Sequence, residues 1–109
     1  MMNMNRIVAA LVGAINSPTR SPALWPLAPV KYPSRELQPR LLPDGSISVR
    51  LALYGWEYKH RGPRPKTPPG LNLAAIQAVL SAALPDGIAV AAVENYGKYI
   101  MIQIKEDSL

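Results

Sequence analysis

A chain of 109 residues has the size of one domain, long enough to bury a core and too short for two independent ones. It is 49% hydrophobic and 17% charged, which excludes a disordered chain, and its lack of cysteine excludes a disulfide framework, thiolate chemistry and a cysteine-ligated metal. The excess of 12 Lys and Arg over 7 Asp and Glu, a net charge of +5, admits nucleic acid or an acidic protein as partner and demands neither.

Met4, Ile7, Val8, Leu11 and Ile15 recur at steps of three and four, the stripe of an amphipathic helix within residues 1–17. Asn3 or Asn5 can cap its start, and Ser17-Pro18 ends it because the residue before proline is driven out of the helical region. The same stretch, one Arg followed by nine apolar residues, is a poor match to a secretion signal, so secretion is not expected. No run approaches the roughly 18–20 apolar residues of a membrane span. A soluble protein of the cytoplasm or of a virion, with no membrane partner, is therefore expected.

The chain has 12 prolines, and from Pro18 to Pro43 one occurs every three to six residues. This spacing opposes helix and any central strand, so residues 18–45 are expected to run extended over a surface. Trp25, Leu27, Val30 and Tyr32 are the side chains by which such a segment would be held, by its own domain or by a neighbouring subunit. They are candidate interface residues.

Residues 46–109 are expected to form a strand-loop-helix-hairpin core. Pro43-Asp44-Gly45 is turn chemistry, and Ile47, Val49, Leu51 and Leu53 then alternate with Ser48, Arg50, Ala52 and Tyr54, the pattern of a half-buried strand. Residues 36–42 can pair with it only at an edge, because of Pro39. Lys59 to Gly70 holds four basic residues, four prolines and two glycines and reads as an exposed basic loop. Asn72 caps a second helix with the stripe Leu73, Ile76, Leu80 and Leu84. Pro85-Asp86-Gly87 ends that helix, and a hairpin follows, turning at Asn95-Tyr96-Gly97, with Ile100, Ile102 and Ile104 facing inward. The expected class is α+β: an antiparallel sheet of about four strands with two helices on one face, in the order α-ββ-α-ββ.

Leu42-Pro-Asp-Gly45 followed by Tyr54-Gly55 is echoed by Leu84-Pro-Asp-Gly87 followed by Tyr96-Gly97. Identity between the two stretches is otherwise sparse, so shared turn chemistry is preferred to internal duplication. The echo leaves two readings of Tyr54-Gly55 open, a turn or a point within one long strand.

The residues indicate no cofactor, no metal and no catalytic set. His60 is the one histidine, with no carboxylate spaced to orient it and no Ser or Cys elbow beside it. The glycines form neither a G-x-G-x-x-G nor a Walker pattern. A metal-free ribonuclease using His60, Lys59, Arg61 and a tyrosine is the one enzymatic reading the residues allow.

The candidate binding residues are Arg50, Tyr54, Trp56, Tyr58, Lys59, His60, Arg61, Arg64 and Lys66. On an unbroken strand the aromatics project opposite Leu53, with Tyr99 and Met101 on the same face. Aromatics on an open sheet beside cations can stack single-stranded bases. They serve equally as anchors of a protein interface. The plainer alternatives are a small second core beneath the Pro-rich segment and a solvated loop. The leading expectation is a non-enzymatic assembly or interaction subunit, docking on copies of itself or on a larger complex, as phage virion or tail components and small inhibitors do. The other is a small basic nucleic-acid-binding module.

Overall fold

The computed structural model describes residues 3–53 and 71–106. Its elements are α1 (Met4–Asn16), a single 3-10 turn (Pro22–Leu24), α2 (Pro33–Leu37), β1 (Arg40–Leu41), β2 (Ile47–Ala52), α3 (Leu73–Ala83), β3 (Ile88–Asn95) and β4 (Tyr99–Glu106). The strands form one antiparallel sheet in the order β1-β2-β4-β3. This is the α+β class expected from the sequence.

The two long helices start where asparagine can satisfy a free backbone N–H. The Asn3 side chain accepts from Arg6 N at 3.2 Å, and that of Asn72 accepts from Ala75 N at 3.1 Å. Ile7, Leu11 and Ile15 of α1 and Ile76 and Leu80 of α3 are buried, as their spacing requires. They meet the inward side chains of β2 and β4, where Ile47, Val49 and Leu51 lie opposite Ile104, Ile102 and Ile100.

The Pro-rich segment departs from the extended run that proline spacing predicts. Pro22 opens the 3-10 turn and Pro33 opens α2, which makes three α-helices, not two. Proline is excluded from helix interiors, but at the first position its fixed φ is already helical and its missing N–H would have had no partner. The Glu36 carboxylate supports α2 by accepting from Lys31 N at 2.7 Å and from Tyr32 N. Gln38 ends this helix in the left-handed region at φ 46°. The edge strand expected over 36–42 is correspondingly reduced to Arg40–Leu41.

Leu27 and Val30, candidate interface residues on sequence grounds, pack with Leu24 and Leu37 into the chain's own core. Asn16 and Arg20 hold the segment there. Asn16 pairs with both backbone groups of Val30, and Arg20 donates to Ile15 O, Leu27 O and Trp25 O at 3.1, 3.2 and 3.4 Å. Ala28 N donates to Ala52 O at 2.9 Å, and Leu27 bridges to Leu53. The segment thereby continues the cover of β2 beyond the end of β1, protecting backbone groups that an edge would expose. Trp25 and Tyr32 do point outward, at 61% and 63% exposure.

The repeated Leu-Pro-Asp-Gly tetrapeptide serves two different connections. At 42–45 it closes the β1–β2 hairpin, and at 84–87 it carries α3 into β3, with Gly45 at φ 88° and Gly87 at φ 80° in both cases supplying the positive angle.

Candidate interaction face on the open side of the sheet

All described helices pack on the side of the sheet that carries Val49 and Ile102, which leaves the opposite side uncovered by any described element. The strand registers define that side rung by rung, because directly paired residues share a face. One rung runs Arg40, Ser48, Gln103, Ala92; the next runs Arg50, Met101, Glu94; the third pairs Ala52 with Tyr99. A β-bulge between Val90 and Ala92 is what brings Ala92 and Glu94 onto this face.

Arg50, Tyr99 and Tyr96 form one ladder. The Arg50 guanidinium carbon lies 4.6 Å from the Tyr99 ring centre, a cation–π distance. Tyr99 and Tyr96 stack with centroids 5.3 Å apart and an interplanar angle of 15°. Tyr96 OH donates to Glu94 at 2.7 Å, and this hydrogen bond to a carboxylate holds the phenol above its usual pKa by favouring the protonated form. Arg50 Nε is buried with no hydrogen-bond partner, and among the described residues no hydrogen bond reaches the terminal nitrogens. Stacking, not hydrogen bonding, thus fixes this arginine.

At the other end of the face Asp44 accepts from Ser46 N and Oγ at 2.9 and 2.5 Å and lies 3.8 Å from Lys105 Nζ. The Ser46 hydrogen bonds and, to a lesser degree, Lys105 hold its carboxyl below the usual aspartate value. Gln103 Nε2 donates to Ser46 Oγ at 2.9 Å, linking this cluster to β4. Between the two ends is an open depression of about 210 Å³, lined by Leu42, Ser48, Ala92, Glu94, Tyr96, Met101 and Gln103.

Of the binding residues read from the sequence, Arg50 lies on this face, with Tyr99 and Met101 as expected. Tyr54, Trp56, Tyr58, Lys59, His60, Arg61, Arg64 and Lys66 lie outside the described residues. Trp25 and Tyr32 lie on the Pro-rich segment, where Arg35 sits 5.6 Å from the Tyr32 ring centre. Sequence reasoning missed Glu94 and Tyr96 as partners of Arg50 and Tyr99. The available signal was Tyr96 at the centre of the Asn-Tyr-Gly turn with Tyr99 three residues on, where the closing hydrogen bond from Tyr96 N to Tyr99 O makes them neighbours.

Gln77 and Ser81, four residues apart on α3, take both backbone groups of one β3 residue: Val90 N donates to Ser81 Oγ at 3.0 Å, and Val90 O accepts from Gln77 Nε2 at 2.9 Å. This blocks strand addition at that point of the outer edge. Among the described residues no group of three or more His, Cys, Asp or Glu could hold a metal ion, and no helix is long and apolar enough to cross a membrane. No family model, curated protein or solved structure matches the chain, so what it does has to be read from its own residues.

Proposed function

We propose that this protein is a non-enzymatic interaction subunit that docks through the open face of its sheet. The observation that carries the reading is the Arg50–Tyr99–Tyr96 ladder, a preformed array of arginine and tyrosine on a face that no described helix covers. Tyrosine and arginine supply most anchors of protein interfaces, and a rigid aromatic ladder loses little entropy when a partner closes over it. The Pro-rich segment is held by the chain's own core through Leu24, Leu27 and Leu37.

The test compares the native chain with Met101→Arg, which places a charge in the middle of the face and touches no core side chain. Association of the native chain, with itself or with a larger complex, should be lost in the variant while its melting temperature stays within a few degrees. Association that survives the substitution overturns this reading.

The same ladder favours one second reading, a platform for single-stranded bases. Gel shifts with single- and double-stranded nucleic acid at two salt concentrations separate the two, since phosphate contacts weaken steeply with salt. An absence of binding at low salt, or binding indifferent to salt, removes the nucleic-acid reading.

A further inference from the structure

The open face is self-complementary in charge. Arg50, Met101 and Glu94 occupy one rung on three successive strands, β2, β4 and β3, so a cation and an anion flank a central apolar side chain. Consider two such faces related by a twofold axis that runs along β4 in the plane between them. The rotation exchanges the β2 and β3 sides, so Arg50 of each copy lies over Glu94 of the other and Met101 meets Met101. An axis running across the strands would instead set Arg50 against Arg50 and Glu94 against Glu94. Only the first arrangement is attractive.

The charge balance of the face favours a second copy over a polyanion. Arg40, Arg50 and Lys105 are offset by Asp44 and Glu94, with Lys105 already 3.8 Å from Asp44. Two further described arginines are engaged elsewhere, Arg20 on backbone carbonyls and Arg35 over Tyr32. Diagonal to Met101 the face carries the small side chains Ala52, Ser48 and Ala92, gaps between the larger Arg50, Tyr99 and Gln103 into which side chains of a facing sheet can fit at the usual spacing of about 10 Å.

We propose that the occupant of the open face is a second copy of this chain, packed sheet on sheet about a twofold axis along β4, with reciprocal Arg50–Glu94 pairs on either side of Met101. The proposal rests on the interaction-subunit reading and gives it a partner. Strands of two, six, eight and eight residues, about 4.8 Å apart and rising about 3.3 Å per residue, present about 400 Å² in outline, roughly half of what each side of a standard stable interface buries. The dimer is accordingly weak and concentration-dependent, with a dissociation constant above about 1 µM.

Sedimentation of the full chain up to about 1 mM tests this, using the native protein, Arg50→Glu, Glu94→Arg and the double swap. The native chain should dimerise. Each single change should weaken dimerisation by about tenfold or more, because it sets like charges against each other twice in the symmetric interface, and the double swap should restore it. Circular dichroism melts show whether each variant is folded. As a second measurement, Met101→Cys introduces the chain's one cysteine, and a short bismaleimide should join two copies through it, whereas Arg6→Cys on α1 should not be joined. A native chain that stays monomeric, a dimer indifferent to Arg50→Glu, or a double swap that fails to restore association overturns the second-copy proposal. A monomer that instead binds an unlike protein through Met101 leaves the interaction-subunit reading intact, and salt-dependent binding of nucleic acid at this face overturns both.

Discussion

Asn16 and Val30, fourteen residues apart, are joined at both ends of one amide: Asn16 Nδ2 donates to Val30 O at 2.7 Å, and Val30 N donates to Asn16 Oδ1 at 2.8 Å. The side chain at the end of α1 thus does for Val30 what a paired strand would do. Asn16→Ala leaves a peptide N–H and C=O without partners at a nearly buried residue, a loss of about 1–3 kcal/mol. Asn16→Asp keeps the acceptor and loses the donor, so it should fall between alanine and the native residue. Urea denaturation measures both, and an alanine variant within about 0.5 kcal/mol of native would mean that the segment is held by its leucines alone.

Leu27 and Trp25 should separate cleanly. Leu27 is 1% exposed and Trp25 is 61% exposed. Leu27→Ala is expected to cost about 2–5 kcal/mol through lost transfer energy and a cavity. Trp25→Ala should stay within about 0.5 kcal/mol, as surface changes do. Equal losses would show that the indole is packed in solution.

Arg50 should be dispensable for stability. Burying Nε without a partner costs about 1–3 kcal/mol, set against a single cation–π contact with Tyr99. Arg50→Met keeps an apolar stem and offers sulfur to the same ring, so thermal denaturation should find it as stable as native or up to about 1 kcal/mol more so. A loss greater than about 1 kcal/mol would make Arg50 part of the scaffold and not a residue kept for binding.

Gln38, at φ 46° and ψ 56°, occupies a conformation that disfavours side chains with a Cβ by about 1–2 kcal/mol. Gln38→Gly removes that strain and adds flexibility to the unfolded chain, for a net gain of about 0.5 kcal/mol. Gln38→Val should destabilise, since β-branched residues fit this region worst. A valine variant as stable as native in the same melts would contradict the left-handed cap.

Two ionisations give opposite pH signatures. The Asp44 carboxyl is held below its unfolded value, so its contribution to stability is present above about pH 4 and is lost as pH falls through the lowered folded value. The stability gap between native and Ser46→Ala should therefore be widest near neutrality and close in acid. The Tyr96 phenol is raised, so its contribution is present below about pH 10 and is lost as pH rises through the folded value. Absorbance titration at alkaline pH should show a late tyrosine component that Glu94→Gln moves to lower pH. A late component unmoved by that change would sever the Tyr96–Glu94 link.

Local chemistry was legible in the residue order. Helix spacing located α1 and α3 with their asparagine caps, alternation located the buried sides of β2 and β4, and Pro-Asp-Gly marked its turns, because each depends on neighbours within a few positions. Proline misled at Pro22 and Pro33, where position within a turn outweighs residue type.

The candidate face belongs to the other category. Arg50, Glu94, Tyr96 and Tyr99 come from β2 and from the β3–β4 hairpin, and only strand order, register and the bulge after Val90 bring them onto one face. Asn16, Arg20, Gln77 and Ser81 read in sequence as ordinary polar surface, yet each is committed to backbone groups five to fourteen residues away in the chain. The physical reason is common to all of them. Periodicity reports which way a side chain points, whereas its partner is set by which strands pair and in what register, and that is decided by the whole core at once.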